Sequence, residues 1–151
     1  MVYNRSEDGE SVGSGLTREE RLATFDDANE RSIAEYLENQ GRVAMKNELE
    51  GVPGAGRQGD AFVDGVKTEF KTLGADAHSG TIRNEVNNSI KHGGQARNFV
   101  IDARNAGLGG GEALRGVHRA LGISRGKVDY IEVIGKDYFF GRAPKLNGTE
   151  D

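Results

Sequence analysis

The chain has 151 residues, with 24 Asp/Glu against 20 Lys/Arg for a formal net charge of −4, and it contains no cysteine. That length is one domain able to bury its own core, the missing cysteines exclude disulfides and thiolate metal centres, and the net charge argues against nucleic-acid binding through bulk charge. No apolar run approaches the roughly 20 residues of a membrane-spanning helix.

The charge is unevenly spread. Residues 1–60 carry seven Lys/Arg and thirteen Asp/Glu, whereas residues 81–128 carry eight and three. A basic stretch inside an acidic chain points toward an anionic partner, with a solvated basic face as the plainer alternative.

Residues 1–15 are rich in Ser, Gly and acids and read as a flexible lead-in. They lack the apolar segment of a signal peptide. Residues 16–145 read as one domain and 146–151 as a loose tail. In TREE, Thr17 as N-cap and Glu20 three positions later make a capping box. A second helix start falls at Asp26–Asp27, followed by Ile33, Ala34 and Leu37 on one stripe and by Gly41 as the stop. RVAMK (42–46) alternates like a short strand, and NELEGVPGAGRQG (47–59) is a loop. DAFV and VKTEFKTL flank Asp64–Gly65, a strong two-residue hairpin signal. TIRNEVNNSIKHGG spaces Ile82, Val86 and Ile90 for a helix that Gly93 and Gly94 end. RNFVIDA (97–103) is an apolar strand. NAGLGGG (105–111) reads as a connection, since it lacks the Lys-Ser/Thr of a phosphate-binding loop. EALRGVHRALG puts Leu114, Val117 and Leu121 on one helical face, and VDYIEVIGKDYFFG predicts a second hairpin turning at Gly135–Lys136. This order predicts a mixed α/β domain with one central sheet flanked by helices.

A turn at Asp64–Gly65 pairs Val63 with Val66, Phe62 with Lys67, Ala61 with Thr68 and Asp60 with Glu69. Two carboxylates then stand opposite each other with Cβ atoms about 5 Å apart, which destabilises a hairpin. Lys71, two residues beyond Glu69, points to the same face. Either Lys71 and Lys67 merely neutralise a solvent face, or the acids have work to do; a divalent ion relieves their repulsion, because one or two carboxylates are the usual protein ligands of Mg²⁺.

Asp60 followed by Glu69-Phe70-Lys71 resembles the acidic and (D/E)xK elements of the PD-(D/E)xK, or restriction-endonuclease-like, nucleases, although Gly59 stands where that name has proline. NERSIAEYLENQGRVAMKNE (29–48) and IKHGGQARNFVIDAR (90–104) resemble segments of the tRNA-cleaving C-terminal toxin domains of contact-dependent growth-inhibition (CdiA) proteins. The resemblance implies the nuclease-like core and a catalytic set of Glu30, Asp60, Glu69 and Lys71. Some relatives place the essential lysine on the later helix, which makes Lys91 the alternative to Lys71. It also implies that Asp60 and Glu69 hold a divalent metal, Mg²⁺ in the first instance, while a metal-free route through the RNA 2′-hydroxyl, with Glu30 or a histidine as base, stays open. Gln95, Arg97, Arg104, Arg115 and Arg119, with Arg125 and Lys127, would contact the tRNA. His78, His92 and His118 read as loop or helix-surface residues. The further implications are a cognate immunity protein as partner, and delivery as part of a larger secreted or cell-surface protein into the target-cell cytoplasm. A DNA endonuclease of the same superfamily and a non-enzymatic α/β binding module are the competing readings.

Overall fold

The computed structural model describes residues 15–48, 59–94 and 96–145; the segments read above as lead-in and tail lie almost entirely outside them, as do most of the 47–59 loop and Gln95. The described elements run α1 (Arg18–Ala23), α2 (Ala28–Asn39), β1 (Ala44–Lys46), β2 (Ala61–Val63), β3 (Val66–Thr72), α3 (Ser79–Lys91), β4 (Asn98–Asp102), α4 (Gly110–Ile123), β5 (Tyr130–Ile134) and β6 (Phe139–Arg142).

One six-stranded sheet keeps the strands in chain order, β1 to β6. The central strands β3, β4 and β5 are parallel, and antiparallel neighbours flank them on both sides. Two parallel steps demand two crossovers, which α3 and α4 supply. Both helices pack on one face, against Phe99, Ile101, Ile131 and Val133. The other face carries Phe70, Val100 and Ile134, covered by Phe25 beside α1 and by Ile33, Ala34 and Leu37 of α2. Strands β4 and β5 are buried on both faces, so they read as largely apolar runs rather than alternating ones.

The caps follow the sequence. Thr17 and Glu20 form both halves of a capping box on α1, and Asp27 caps α2 by accepting the Asn29 amide at 3.3 Å. Asp64 and Gly65 adopt φ of 50° and 82°, the left-handed pair a tight hairpin turn requires. The ladder is the expected one: Ala61 with Thr68, Phe62 with Lys67, Val63 with Val66.

Two boundaries differ from expectation. Helix α4 starts at Gly110, so the glycine run supplies its first turn rather than only a connection. The last hairpin pairs Ile134 with Phe139, leaving four residues in the turn rather than two. The Gly135 amide donates to the Tyr138 carbonyl at 2.7 Å, and the Tyr138 ring fills the space a side chain at Gly135 would need.

Candidate active site

The sequence places Asp60 opposite Glu69, but the ladder ends at Ala61 with Thr68, and Asp60 meets β3 through other bonds. Asp60 lies one residue before β2, and its N–H donates to the Thr68 carbonyl at 3.1 Å. Its carboxylate Oδ2 accepts the Phe70 amide at 2.8 Å. The side chain thus takes a donor that a longer β2 would have satisfied, and it lies against the peptide joining Glu69 to Phe70. Gly59 just before it has φ of +85°. Proline's ring fixes φ near −65°, so the departure from a proline–acid pair is built into this backbone.

Phe70 belongs to the core under α1 and α2, so by strand alternation Glu69 and Lys71 project to the opposite face, toward α3. There Lys71 Nζ lies 3.4 Å from Glu69 Oε2 and 3.9 Å from Glu85 Oε1 of α3. Glu69 and Asp60 are both buried, at 5% and 7% exposed, while Lys71 retains partial access to solvent. Asn47, just past β1, is also buried, and its amide donates to the Asp60 carbonyl at 3.0 Å. A row of polar side chains therefore crosses the first three strands beside an apolar core. Neither Asn47, in a stretch that reads as a loop, nor Glu85, on the predicted helix, is singled out by the sequence pattern.

Glu30 comes from α2 rather than from the hairpin. It sits in the first turn of α2, and its Oε1 accepts from Lys46 Nζ at 3.0 Å. Lys46 shares its face of the sheet with Ala44, which is in the α1/α2 core, so this ion pair and the Glu69–Lys71 pair approach the strand ends from opposite faces. Lys91 is exposed at the end of α3. His78 caps α3 through Nδ1, and His92 Nδ1 lies 2.8 Å from the Asn88 carbonyl at its other end; His118 is exposed on α4.

Of the arginines expected to touch nucleic acid, two are occupied within the fold. Arg104 grips both oxygens of Asp102 at 2.8 and 2.9 Å, donates to Ser32 Oγ at 2.9 Å and lies 5.2 Å from the Tyr36 ring centre. It pins β4 to α2, and the Asp102 bonds raise its pKa. Arg97 is bidentate to Asp129 at 3.0 and 3.1 Å and donates to the Gly126 carbonyl, fastening β4 to the segment before β5. Arg115, Arg119, Arg125 and Lys127 are exposed on and just after α4. Gln95 lies outside the described residues.

Residues 57–138 match the family model of the contact-dependent growth inhibition CdiA C-terminal domain. The chain belongs to that family. The matched span takes in the hairpin carrying Asp60, Glu69 and Lys71, both crossover helices and the turn into β6. The domain's fold is similar to that of a solved CdiA-CT/CdiI toxin and immunity complex from Burkholderia pseudomallei, at a TM-score of 0.59 and 20% identity over 76% of this chain and 82% of that one. No curated protein matches this CdiA C-terminal domain. None of its described helices is long and apolar enough to cross a membrane.

Proposed function

We propose that this CdiA C-terminal domain is a ribonuclease toxin of the PD-(D/E)xK type that cleaves tRNA. The observation that carries the reading is the convergence of Asp60, Glu69 and Lys71 at one strand end. Two buried carboxylates and an amine there serve no packing need that apolar residues would not serve better.

Phosphodiester cleavage needs an activated nucleophile, neutralisation of charge on the phosphate, and help for the leaving oxygen. Lys71, partly open to solvent and held beside Glu69, is placed to donate to a phosphate oxygen and stabilise charge that develops in the transition state. Asp60 is oriented by the Phe70 amide, which fixes its carboxylate without a rotamer search when substrate arrives. Among the described residues no group of three or more His, Asp or Glu is arranged as a metal cage. Two carboxylates suit Mg²⁺, which keeps several waters and takes further ligands from the substrate phosphate, so Asp60 and Glu69 are the residues that would hold it. When bound, such an ion would polarise the phosphoryl group and acidify a coordinated water. Where the 2′-hydroxyl of RNA is the nucleophile, Glu69 beside Lys71 or Glu30 beside Lys46 would serve as the base. Lys91, exposed at the end of α3, is the alternative lysine for the role of Lys71. The exposed arginines of α4 offer a phosphate-binding surface.

A toxin of this kind needs an inhibitor in the producing cell. The similar Burkholderia structure is a toxin and immunity complex, which supports a cognate immunity protein as this domain's partner, acidic where it meets the basic α4 surface. The domain would reach the target cytoplasm as the end of a larger secreted or surface protein.

The test is cleavage of purified tRNA, total RNA and plasmid DNA, each with Mg²⁺ and with EDTA, by the wild type, Glu69→Gln and Lys71→Ala. The wild type should cut tRNA, and each variant should lose at least about a hundredfold in rate, the scale of one positioned acid–base or electrostatic group. Cutting of DNA alone would turn the reading to an endonuclease of the same superfamily. Failure to cut any nucleic acid, or full activity of Glu69→Gln, would overturn it.

A further inference from the structure

On the sheet face that α1 and α2 cover, the starts of β3, β4 and β5 floor a recess of about 220 Å³ that no residue of either helix lines. Its walls include Arg42, Asp64, Thr68, Asn98, Tyr130 and Glu132. Glu69 and Lys71 project from the opposite face, so this recess is separate from the candidate active site.

Glu132 is the unusual residue. It occupies an interior position of β5 beside Val100 of β4, and its side chain is only 8% exposed. Its Oε1 accepts from Arg42 Nη1 at 2.6 Å. Arg42 Nε also donates to Asp64 Oδ2 at 3.2 Å, so one guanidinium serves two carboxylates and the recess keeps an excess negative charge. Burial alone would lower the Arg42 pKa; the bonds to Glu132 and Asp64 outweigh it and raise it. Among the described residues, neither the second oxygen of Glu132, nor the Asn98 side-chain amide, nor the Tyr130 hydroxyl has an intramolecular hydrogen-bond partner. Tyr130 lies across Gly141, whose missing Cβ would stand 2.2 Å from the hydroxyl. Gly141 is the ladder partner of Glu132, so the hydroxyl is held beside the carboxylate.

A buried carboxylate with a spare oxygen is costly unless a donor reaches it. Excess negative charge disfavours phosphate and carboxylate ligands. A cation with several N–H donors satisfies the spare oxygen, the amide oxygen and the phenol together. We propose that this recess binds an ammonium or guanidinium group, supplied by a free polyamine or by a basic side chain of a protein partner, with Glu132 as counter-ion and Asn98 and Tyr130 as hydrogen-bonding walls.

The experiment is a ¹H–¹⁵N NMR titration of the whole chain with methylguanidinium, spermidine and a tetralysine peptide, with neutral methylurea and inorganic phosphate as comparisons. Methylguanidinium should shift the Asn98 side-chain amide and the amides of Thr68, Asn98 and Glu132 saturably, and methylurea and phosphate should not. Spermidine binding more tightly than the peptide assigns a free amine, and the reverse order assigns a partner's side chain. Glu132→Gln should weaken binding at least tenfold, whereas Glu69→Gln should bind as the wild type does, which separates this site from the nuclease reading. Should Glu132→Gln fail to fold, Asn98→Leu with Tyr130→Phe removes two walls and leaves the Arg42 ion pairs in place; it should weaken binding likewise. Equal shifts from methylurea, or undiminished binding by these variants, overturns the proposal.

Discussion

The Asp60 carboxylate accepts the amide of Phe70 at 2.8 Å, a bond that ends the β2–β3 ladder with a side chain instead of a backbone carbonyl. One residue thereby closes the end of a ladder and presents a fixed acid next to Glu69. Its structural and chemical roles can be separated, because an amide oxygen can accept from Phe70 as well as a carboxylate can.

Asp60→Asn should therefore keep the bond and remain within about 1 kcal/mol of wild-type stability, while Asp60→Ala leaves a buried N–H unmet at a cost of about 1–3 kcal/mol. Under the nuclease proposal both variants should lose tRNA cleavage. Urea unfolding of the two proteins, read beside their cleavage rates, checks the split. Equal stability of the Asn and Ala variants would show that the Phe70 bond contributes nothing.

A second dependence lies in the acidic N-terminal third. Arg21 of α1 is bidentate to Glu38 of α2 at 2.7 and 2.8 Å, with side chains only 2% and 3% exposed, and Glu38 also accepts the Ala44 amide of β1 at 2.9 Å. The pair ties two helices to the edge strand. Removing one partner strands a buried charge, so Arg21→Ala should cost about 3–5 kcal/mol. Arg21→Met with Glu38→Leu should recover a large part of that loss, since well-packed apolar replacements of a buried pair are often neutral or better. Denaturant midpoints of the three proteins decide, and a double variant no more stable than Arg21→Ala would contradict the argument.

Gly116 marks where α4 meets α3. A Cβ there would lie 2.6 Å from the Ser79 carbonyl oxygen and 3.1 Å from Ile82 Cβ. Alanine favours helix over glycine by about 1 kcal/mol, yet here it pushes against backbone, and overpacking of this kind costs about 1–3 kcal/mol. Gly116→Ala should therefore lower the melting temperature, whereas Gly122→Ala on the same helix, with open space around it, should not. A raised melting temperature for Gly116→Ala would mean that the helices separate freely.

These residues also show what the sequence could and could not reveal. The hairpin register was legible because an Asp-Gly turn and a side-chain period of two leave little freedom. Helix α2 and both crossover helices were legible from spacing, and the mixed sheet followed from their order. The start of α4 at Gly110 was not, since glycine is a poor helix former and only tertiary packing places it there. The four-residue turn before β6 depends on the Tyr138 ring lying over Gly135, a contact no local pattern encodes. The tie of Arg104 to Ser32 and that of Arg97 to Asp129 were hidden for the same reason: these partners lie 72 and 32 residues away. The Glu30–Lys46 pair was missed because a short strand gives little sign of which helix faces it.

Tyr138 makes the stability of the fold depend on pH at the alkaline end. Its hydroxyl donates to the Leu108 carbonyl at 2.9 Å, joining the last hairpin to the loop before α4. Burial first, and then the charges of Asp137 and Glu112, hold its pKa above the ordinary 10.0. In the unfolded chain the phenol ionises at its ordinary value, so the unfolded state loses this proton first as pH rises. The contribution to stability is therefore complete below the unfolded pKa and is lost as pH climbs through the folded one. Melting temperatures measured from about pH 8 to about pH 11 should fall at the alkaline end. Tyr138→Phe should start lower, because its hydrogen bond is gone, by about 1 kcal/mol, but should lose less across that range because it has no proton to give up there. Parallel alkaline slopes for the two proteins would show that Tyr138 does not titrate with unfolding.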